Sequence, residues 1–411
     1  MHFSFELSSA SIVDRFQCLG DRVKVLFFAN TEWYLYNFRL AFAKFLRDRG
    51  FEVVMVSPVG PYGARLVAEG FRWIGLDMDR RSMHPARELS VLRRLSKIYA
   101  TEQPDIVHHF TIKCVVYGSF IAWRHGIRNR VNAVAGMGYV FTSTALRARL
   151  LKPCVLALMK VLLRGTHARL VLQNNDDFDA FQKARIASPA TMRLIRGSGV
   201  DTSLFRPREI RRKGQATRVL FAARLLWDKG IGEYVAAARA LKRENVSVDL
   251  LIAGMPDIGN PSSVAPDQIE EWLHEGLVTH LGHVDDMPEL MSEVDIVVLP
   301  TTYGEGVPRS LIEAAAAGVA IIATDVPGCR EILEHQVNGL LVPAREVAPL
   351  IDAIRFLHLN PEERIRMGEA GREKVLRQFD QRLVFEATHA VYLELLAQSS
   401  VKSDPNALPA R

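Results

Sequence analysis

Cysteine is scarce in this 411-residue chain: Cys18, Cys114, Cys154 and Cys329 are scattered and form no CxxC pair. That pattern argues against a disulfide framework and a thiolate zinc site, and it suits a reducing compartment. No stretch reaches the roughly 18 uninterrupted apolar residues of a membrane-spanning helix, so a soluble or peripheral protein is expected. Residues 1–22 lack the basic start and apolar run of a secretory signal and read as an N-terminal extension. No G-x-G-x-x-G opens a helix after the first strand-like run, which makes a dinucleotide oxidoreductase the least favoured enzyme class. No DxD element closes a strand in a metal-binding context. With 48% apolar and 24% charged residues, 27 Gly and 19 Pro, the composition excludes a disordered, collagen-like or coiled-coil chain. The length excludes a single small domain.

Charge is unevenly divided. Residues 1–200 hold 29 Lys+Arg against 15 Asp+Glu, a net +14, whereas residues 201–411 hold 23 against 31, a net −8. The overall +6 thus joins a basic half to an acidic one. A basic half suits a polyanionic partner: nucleic acid, an anionic membrane surface or a phosphorylated substrate.

Both halves repeat one pattern. VKVLFFA (23–29), FEVVMVS (51–57), DIVHHF (105–110), IRNRVNAVAG (127–136) and ARLVLQN (168–174) are short apolar runs of the buried parallel-strand type, separated by helical segments such as FRLAFAKFLRDRG (38–50). TRVLFAARL (217–225), VDLLIAG (248–254), VTHLGH (278–283), VDIVVLP (294–300) and VAIIATD (319–325) restart it. The fold class expected is α/β, with two Rossmann-like, doubly wound parallel sheets facing each other across a cleft. Their joint is expected in VDTSLFRPREIRRKGQ (200–215). Ligands of such sheets lie beyond the carboxyl ends of strands, so the loops after strands are where chemistry is sought.

In the second half the loop after VDIVVLP carries Gly304, Glu305 and Gly306, and a helix starts near Pro308. Backbone N–H groups at such a start suit an anion or a polar ligand. Glu313 follows Glu305 eight residues on, and this carboxylate pair can hydrogen-bond sugar and ribose hydroxyls. Arg224 at the end of a strand and Lys229 in the next loop can neutralise a diphosphate. In the first half, NTEWYLYNFR (30–39) is aromatic and polar enough to hold a sugar ring or simply to cover the sheet. DIVHHFTIK (105–113) puts His108, His109 and Lys113 at a strand end, the two histidines facing opposite sides. Gly136 and Gly138 in AGMGYVF permit a close backbone approach. The segment ALRARLLKPCVLALMKVLLRGTHARL (145–170) mixes apolar residues with Arg147, Arg149, Lys152, Lys160, Arg164 and Arg169 and has no acid. It suits an anionic membrane surface and a polyprenyl diphosphate, whereas no basic and aromatic motif for nucleic acid is recognisable.

RLLWDKG (224–230), GHVDDMPEL (282–290), EGVPRSLIE (305–313) and GSGVDTSLFRP (197–207) together resemble the nucleotide-sugar domain of glycosyltransferase family 4, which has the GT-B architecture. The resemblance implies that Arg224 and Lys229 grip the donor diphosphate, that Glu313 binds the ribose and Glu305 the transferred sugar, and that Gly306 and Val307 support them through their amides. It places His283 and Val284 beside the base, and Gly199 where small size lets backbone approach the donor. His108 and His109 become candidates for contact with the transferred sugar, and Asn30, Trp33, Tyr34, Arg39, Lys113, Gly136 and Gly138 for acceptor contact. Including NTEWYLYNFR, HHFTIK and AGMGYVF, the likeness spans 23–397 and is similar to the bacterial branch that adds an N-acetylhexosamine to undecaprenyl-diphosphate-linked saccharides, the bacillosaminyl-diphospho-undecaprenol α-1,3-N-acetylgalactosaminyltransferase group among them. The domains implied are an acceptor-binding domain at 23–200, a nucleotide-sugar domain at 201–378, a helix at 379–398 crossing back to the first domain, and a tail at 399–411. The partners implied are a UDP-sugar, an undecaprenyl-diphosphate-linked saccharide and the anionic inner face of the cell membrane. Asp285 and Asp286 fall where the family has a helix cap, so no cofactor and no metal are expected. A UDP-sugar epimerase of the same fold and a non-catalytic sugar-nucleotide-binding protein remain as alternatives.

Overall fold

The structure is a computed structural model that describes residues 22–80, 82, 84–134, 136, 146–207, 216–302, 304 and 306–403, with side chains described for all of these except 146–152 and 400–403. Residues 1–21 of the N-terminal extension, Gly138, Glu305 and residues 208–215 of the expected joint lie outside the described residues. The chain divides into two compact units, Met1–Ile195 with Phe385–Arg411, and Arg196–Val384.

The first unit is built on seven parallel strands: β1 (Lys24–Phe28), β2 (Glu52–Ser57), β3 (Arg72–Gly75), β4 (Ile106–Phe110), β5 (Asn129–Val134), β6 (Ala168–Leu172) and β7 (Met192–Leu194). Their order is β3-β2-β1-β4-β5-β6-β7. The second unit has β8 (Thr217–Ala222), β9 (Val248–Ala253), β10 (Thr279–Gly282), β11 (Ile296–Leu299), β12 (Ala320–Thr324) and β13 (Leu340–Val342), in the order β10-β9-β8-β11-β12-β13. Each sheet reverses direction once, between β1 and β4 and between β8 and β11. These are the switch points at which open parallel sheets bind ligands.

Burial explains which strands the sequence made visible. β1, β4, β5 and β6 are buried almost throughout, because helices cover both faces. β3, β7 and β13 were not expected. All three are short strands at sheet edges, and the β3 residues Arg72–Gly75 are half-exposed or exposed, so no apolar run announces them.

The terminal helix runs Gln381–Ser403, starting later and ending later than the expected 379–398. Asp380 stops it at its start: its carboxylate accepts from the Arg382 N–H at 2.9 Å, and Thr202 Oγ1 donates to the same group. From Phe385 onward the helix belongs to the first unit, where Tyr392 is fully buried and Glu394 pairs with Arg169 and Arg193. Arg169 is therefore a buried residue of β6, 2% exposed, and not part of a basic surface as its place in the 145–170 segment suggested. That segment forms the helix Leu146–Leu162, in which Met159 and Leu162 pack into the core while Leu158, Val161 and Arg164 beyond it remain exposed. No helix among the described residues is long and apolar enough to cross a membrane.

Within the second unit, Val200 pairs with Asp380 as an isolated bridge, with hydrogen bonds Val200 N–H to Phe379 O (3.0 Å) and Gln381 N–H to Val200 O (2.9 Å). Gly199 has φ +69°, and a Cβ there would sit 2.6 Å from Gln381 Cα. Its small size thus serves this close passage of chain. Gly199→Ala is expected to destabilise the protein by about 2 kcal/mol or more, from strain and contact together, measured by urea unfolding. A loss below roughly 0.5 kcal/mol would show that the passage is loose.

Candidate active site

The loops that follow β8 and β11 flank the switch point of the second sheet and are laced together. Gly230, with φ +78°, lies so close to β11's exit that a Cβ would meet Pro300 O at 2.0 Å. The Thr302 N–H donates to Asp228 O at 2.9 Å, and Thr301 Oγ1 donates to the same carbonyl at 3.1 Å. Residues 254–264 bind the other side of the β8 loop. Leu225 N–H donates to Met255 O (3.0 Å), Trp227 N–H to Ser262 O (2.8 Å), and Asp228 N–H to Ser262 Oγ (3.1 Å). These bonds fix the backbone that carries Arg224 and Lys229.

The two cations differ in environment. The Arg224 side chain is half-exposed and its Nη1 donates to Asp257 at 2.7 Å; Asn260 Nδ2 donates to the same oxygen at 3.1 Å. The Asp257 side chain is nearly buried, but with the guanidinium half in solvent a ligand carrying more negative charge can compete for it. Lys229 is buried. Desolvation, with the nearby Arg224 charge adding to it, lowers its pKa to about 7, opposed by Cys329 and Asp228. The Cys329 thiol is itself pushed up to about 12 by burial. Desolvation of this kind makes an ammonium a strong anion binder once the anion restores the charge balance.

Glu313 lies in the helix Arg309–Ala316 that follows the β11 loop. It is buried, which raises its pKa, and Arg309 Nε donates to it at 2.7 Å and opposes that shift. The Gly306 and Val307 that precede the helix are buried too. Gly197 faces them: a Cβ there would be 3.2 Å from Ile312 Cδ1 and 3.8 Å from Val307 Cβ. His283 leaves β10 largely exposed, with Nε2 3.4 Å from Asp285, and Val284 packs partly on the core. Asp286 caps the helix Met287–Glu293 by accepting from the Glu289 N–H at 3.0 Å, as its family position implied. Among the described residues no group of His, Cys, Asp and Glu is arranged to hold a metal ion. Arg224 and Lys229 therefore follow the carboxyl end of β8, and Gly306 and Val307 that of the neighbouring β11, with Glu313 on the helix that the second loop leads into.

The first unit separates its candidates. His109 is sealed in the core, with Nε2 2.9 Å from Tyr99 Oη and Nδ1 2.8 Å from Asn132 Oδ1; burial lowers its pKa to about 4. Both ring nitrogens are used, so the proposed contact with a transferred sugar is corrected to a core role. Lys113 spends its three donors on Asp79 O (2.8 Å), Ser82 O (3.0 Å) and Glu88 (2.9 Å), tying down the segment that leads into the helix Pro85–Glu102, and its acceptor role is corrected likewise. His108 is 2% exposed, on the opposite face, with Nδ1 2.7 Å from Tyr392 Oη. Asn30 leaves β1 half-buried, and Trp33 is exposed with its edge on Phe38. Tyr34 stacks on Phe38, and its hydroxyl oxygen accepts from the Arg39 guanidinium. Gly136 is buried just after β5.

Residues 205–374 match the family model of glycosyl transferases group 1, and residues 24–175 match that of glycosyl transferase 4-like domains. The chain is a family 4 glycosyltransferase. A relative from Campylobacter jejuni, the N,N'-diacetylbacillosaminyl-diphospho-undecaprenol alpha-1,3-N-acetylgalactosaminyltransferase, is 27% identical over 87% of this chain and 95% of its own. HepE of Anabaena, solved in complex with UDP, superimposes with a TM-score of 0.73 at 18% identity, covering 90% of this chain and 100% of its own. WaaG, a glycosyltransferase involved in lipopolysaccharide biosynthesis, gives 0.67 at 16% identity over 89% and 99%. The two structures share the GT-B fold, two parallel-sheet α/β domains. Asp257, Gly197 and Gly230 were not singled out in the sequence of this glycosyltransferase, although all three follow or flank strand ends.

Because the pKa of Lys229 is about 7 in the folded chain and 10.5 when unfolded, the unfolded chain binds the extra proton between those values. Stability is therefore penalised in full below about pH 7 and recovers as pH rises towards 10.5. Lys229→Met is expected to remove about 2 kcal/mol of the gain in stability between pH 7 and pH 9, measured by urea unfolding. An unchanged pH slope would contradict the buried ammonium.

Proposed function

We propose that this glycosyltransferase moves a sugar, an N-acetylhexosamine in the first instance, from a UDP-sugar to an undecaprenyl-diphosphate-linked saccharide, with retention of anomeric configuration, in the building of a bacterial surface polysaccharide or glycan. The observation that carries the reading is the closeness of Arg224 to buried Lys229 in the loop after β8, at the switch point of the second sheet, with a buried Glu313 on the helix that follows the neighbouring strand β11. A diphosphate taken up there is neutralised by two cations without a metal ion. Glu313, a buried hydrogen-bond acceptor, takes the ribose hydroxyls, and Glu305 the hydroxyls of the sugar. His283 and Val284 flank the base.

The reaction breaks the bond between the anomeric carbon and the UDP oxygen and forms a bond from that carbon to the acceptor oxygen on the same face. The acceptor's proton passes to the departing phosphate. Arg224 and Lys229 lower the barrier by stabilising the charge that develops on the leaving group. The lipid acceptor is supported by the Campylobacter relative's own substrate and by the exposed Leu158, Val161 and Arg164. Such a surface suits attachment to the anionic inner face of the cell membrane.

The test is UDP release from a panel of UDP-sugars in EDTA, with and without an undecaprenyl-diphosphate-linked monosaccharide. Release that requires the lipid, survives EDTA and falls by about 100-fold or more in Arg224→Ala and Glu313→Ala is the expected result. Acceptor-independent release or isomerisation of the UDP-sugar would move the activity to hydrolysis or epimerisation.

A further inference from the structure

The first unit contains a buried cation that, among the described residues, has no counter-charge. NTEWYLYNFR begins as a single α-turn, Glu32–Tyr34, started by Thr31, whose Oγ1 accepts from the Tyr34 N–H at 3.1 Å. It continues as a π-helical turn, Leu35–Arg39, before the regular helix Leu40–Asp48. Arg39 closes that turn with φ −126° and ψ −14°, outside helical geometry. Inserted π-turns re-aim a side chain at some cost to the helix and are concentrated at functional sites.

The re-aimed guanidinium is 7% exposed and lies 4.4 Å from the ring centre of Phe110, the last residue of β4, at the switch point of the first sheet. Its Nε and Nη2 donate to Tyr34 Oη at 3.2 and 2.6 Å. Among the described residues no carboxylate forms an ion pair with it. The buried arginine at position 169 shows the usual arrangement in the same unit, being paired with Glu394 at 2.7 Å. A buried guanidinium whose only acceptor is a neutral phenol is costly unless an anion completes it.

A second group points the same way. His108 shares the β4 face with Phe110, their rings 4.1 Å apart, and its buried Nε2 has no hydrogen-bond partner among the described residues. The Arg39 charge is close enough to contribute to the lowering of its pKa, after burial. In the tautomer whose Nδ1 accepts from the Tyr392 hydroxyl, the ring proton is on Nε2 and is free to be donated to a ligand oxygen.

We propose that Arg39, supported by Tyr34, Phe110 and His108, is an oxyanion site, and that it takes a phosphate of the acceptor's diphosphate. The identity of that phosphate rests on the lipid-linked acceptor assigned above; the existence of the site does not. The donor's diphosphate has its own cations in the second unit, which leaves Arg39 for the other substrate.

The test has two arms on the full chain. Initial rates with varied acceptor and varied donor are compared for wild type, Arg39→Gln and Arg39→Lys. Arg39→Gln is expected to raise the acceptor KM about tenfold or more with the donor KM unchanged, and Arg39→Lys to recover part of the loss. Equal acceptor KM values, or a change confined to the donor KM, would overturn the assignment to the acceptor. Independently, inorganic pyrophosphate is titrated against thermal unfolding in an Arg224→Ala background. It should raise the Tm of that protein and fail to raise that of Arg224→Ala, Arg39→Gln. Equal shifts in both would overturn the site itself, even if the lipid acceptor proves wrong for the wild type, and retention of the shift in Arg224→Ala, Arg39→Lys guards against a folding defect.

Discussion

The close contact between Gly230 and the carbonyl of Pro300 is the constraint on which the donor-side site depends. Only a glycine in the left-handed region lets the β8 loop pass within that distance of the β11 exit. Thr301 and Thr302 then close on Asp228 O, and the loop that bears the two cations is held at the exit of β11. Without this contact the loop that carries Arg224 and Lys229 would not be tied to the exit of the strand that leads to the helix of Glu313. With it, the two cations stand at one switch point on a backbone held from both sides.

The site is poised electrostatically as well as held in place. Lys229 is buried beside another cation and bears the cost of desolvation; Arg224 is balanced by Asp257. The first unit repeats the theme at Arg39, buried over Phe110 with a phenol for company. Both sheets thus place buried cationic groups beyond the carboxyl ends of their central strands, which fits the diphosphate substrates proposed above.

Much of the architecture was legible in the sequence because central parallel strands are covered on both faces and must be apolar along their length. LFF of β1 and IVVL of β11 could not be mistaken. Edge strands such as RWIG carry no such demand and went unseen. The site was legible where a strand end, a glycine and a charge coincide, as at Arg224 to Gly230. It misled where only residue type was available: His109 and Lys113 have the chemistry of ligand contacts, yet Tyr99 with Asn132, and Asp79 with Ser82 and Glu88, already occupy them. Partners supplied by distant segments cannot be read from a motif. Neither can the π-turn that buries Arg39, since an inserted residue leaves the helical pattern of the sequence nearly intact.

The central claim is that two cations, one of them a desolvated lysine, grip a nucleoside diphosphate unaided by metal. Its most direct measurement is calorimetric titration of UDP in EDTA at pH 8, in buffers of differing ionisation enthalpy. The account predicts binding in EDTA with uptake of close to one proton, lost in Lys229→Met, because the bound diphosphate returns Lys229 to its charged form. Binding that requires a divalent ion, or that takes up no proton in any buffer, would contradict it.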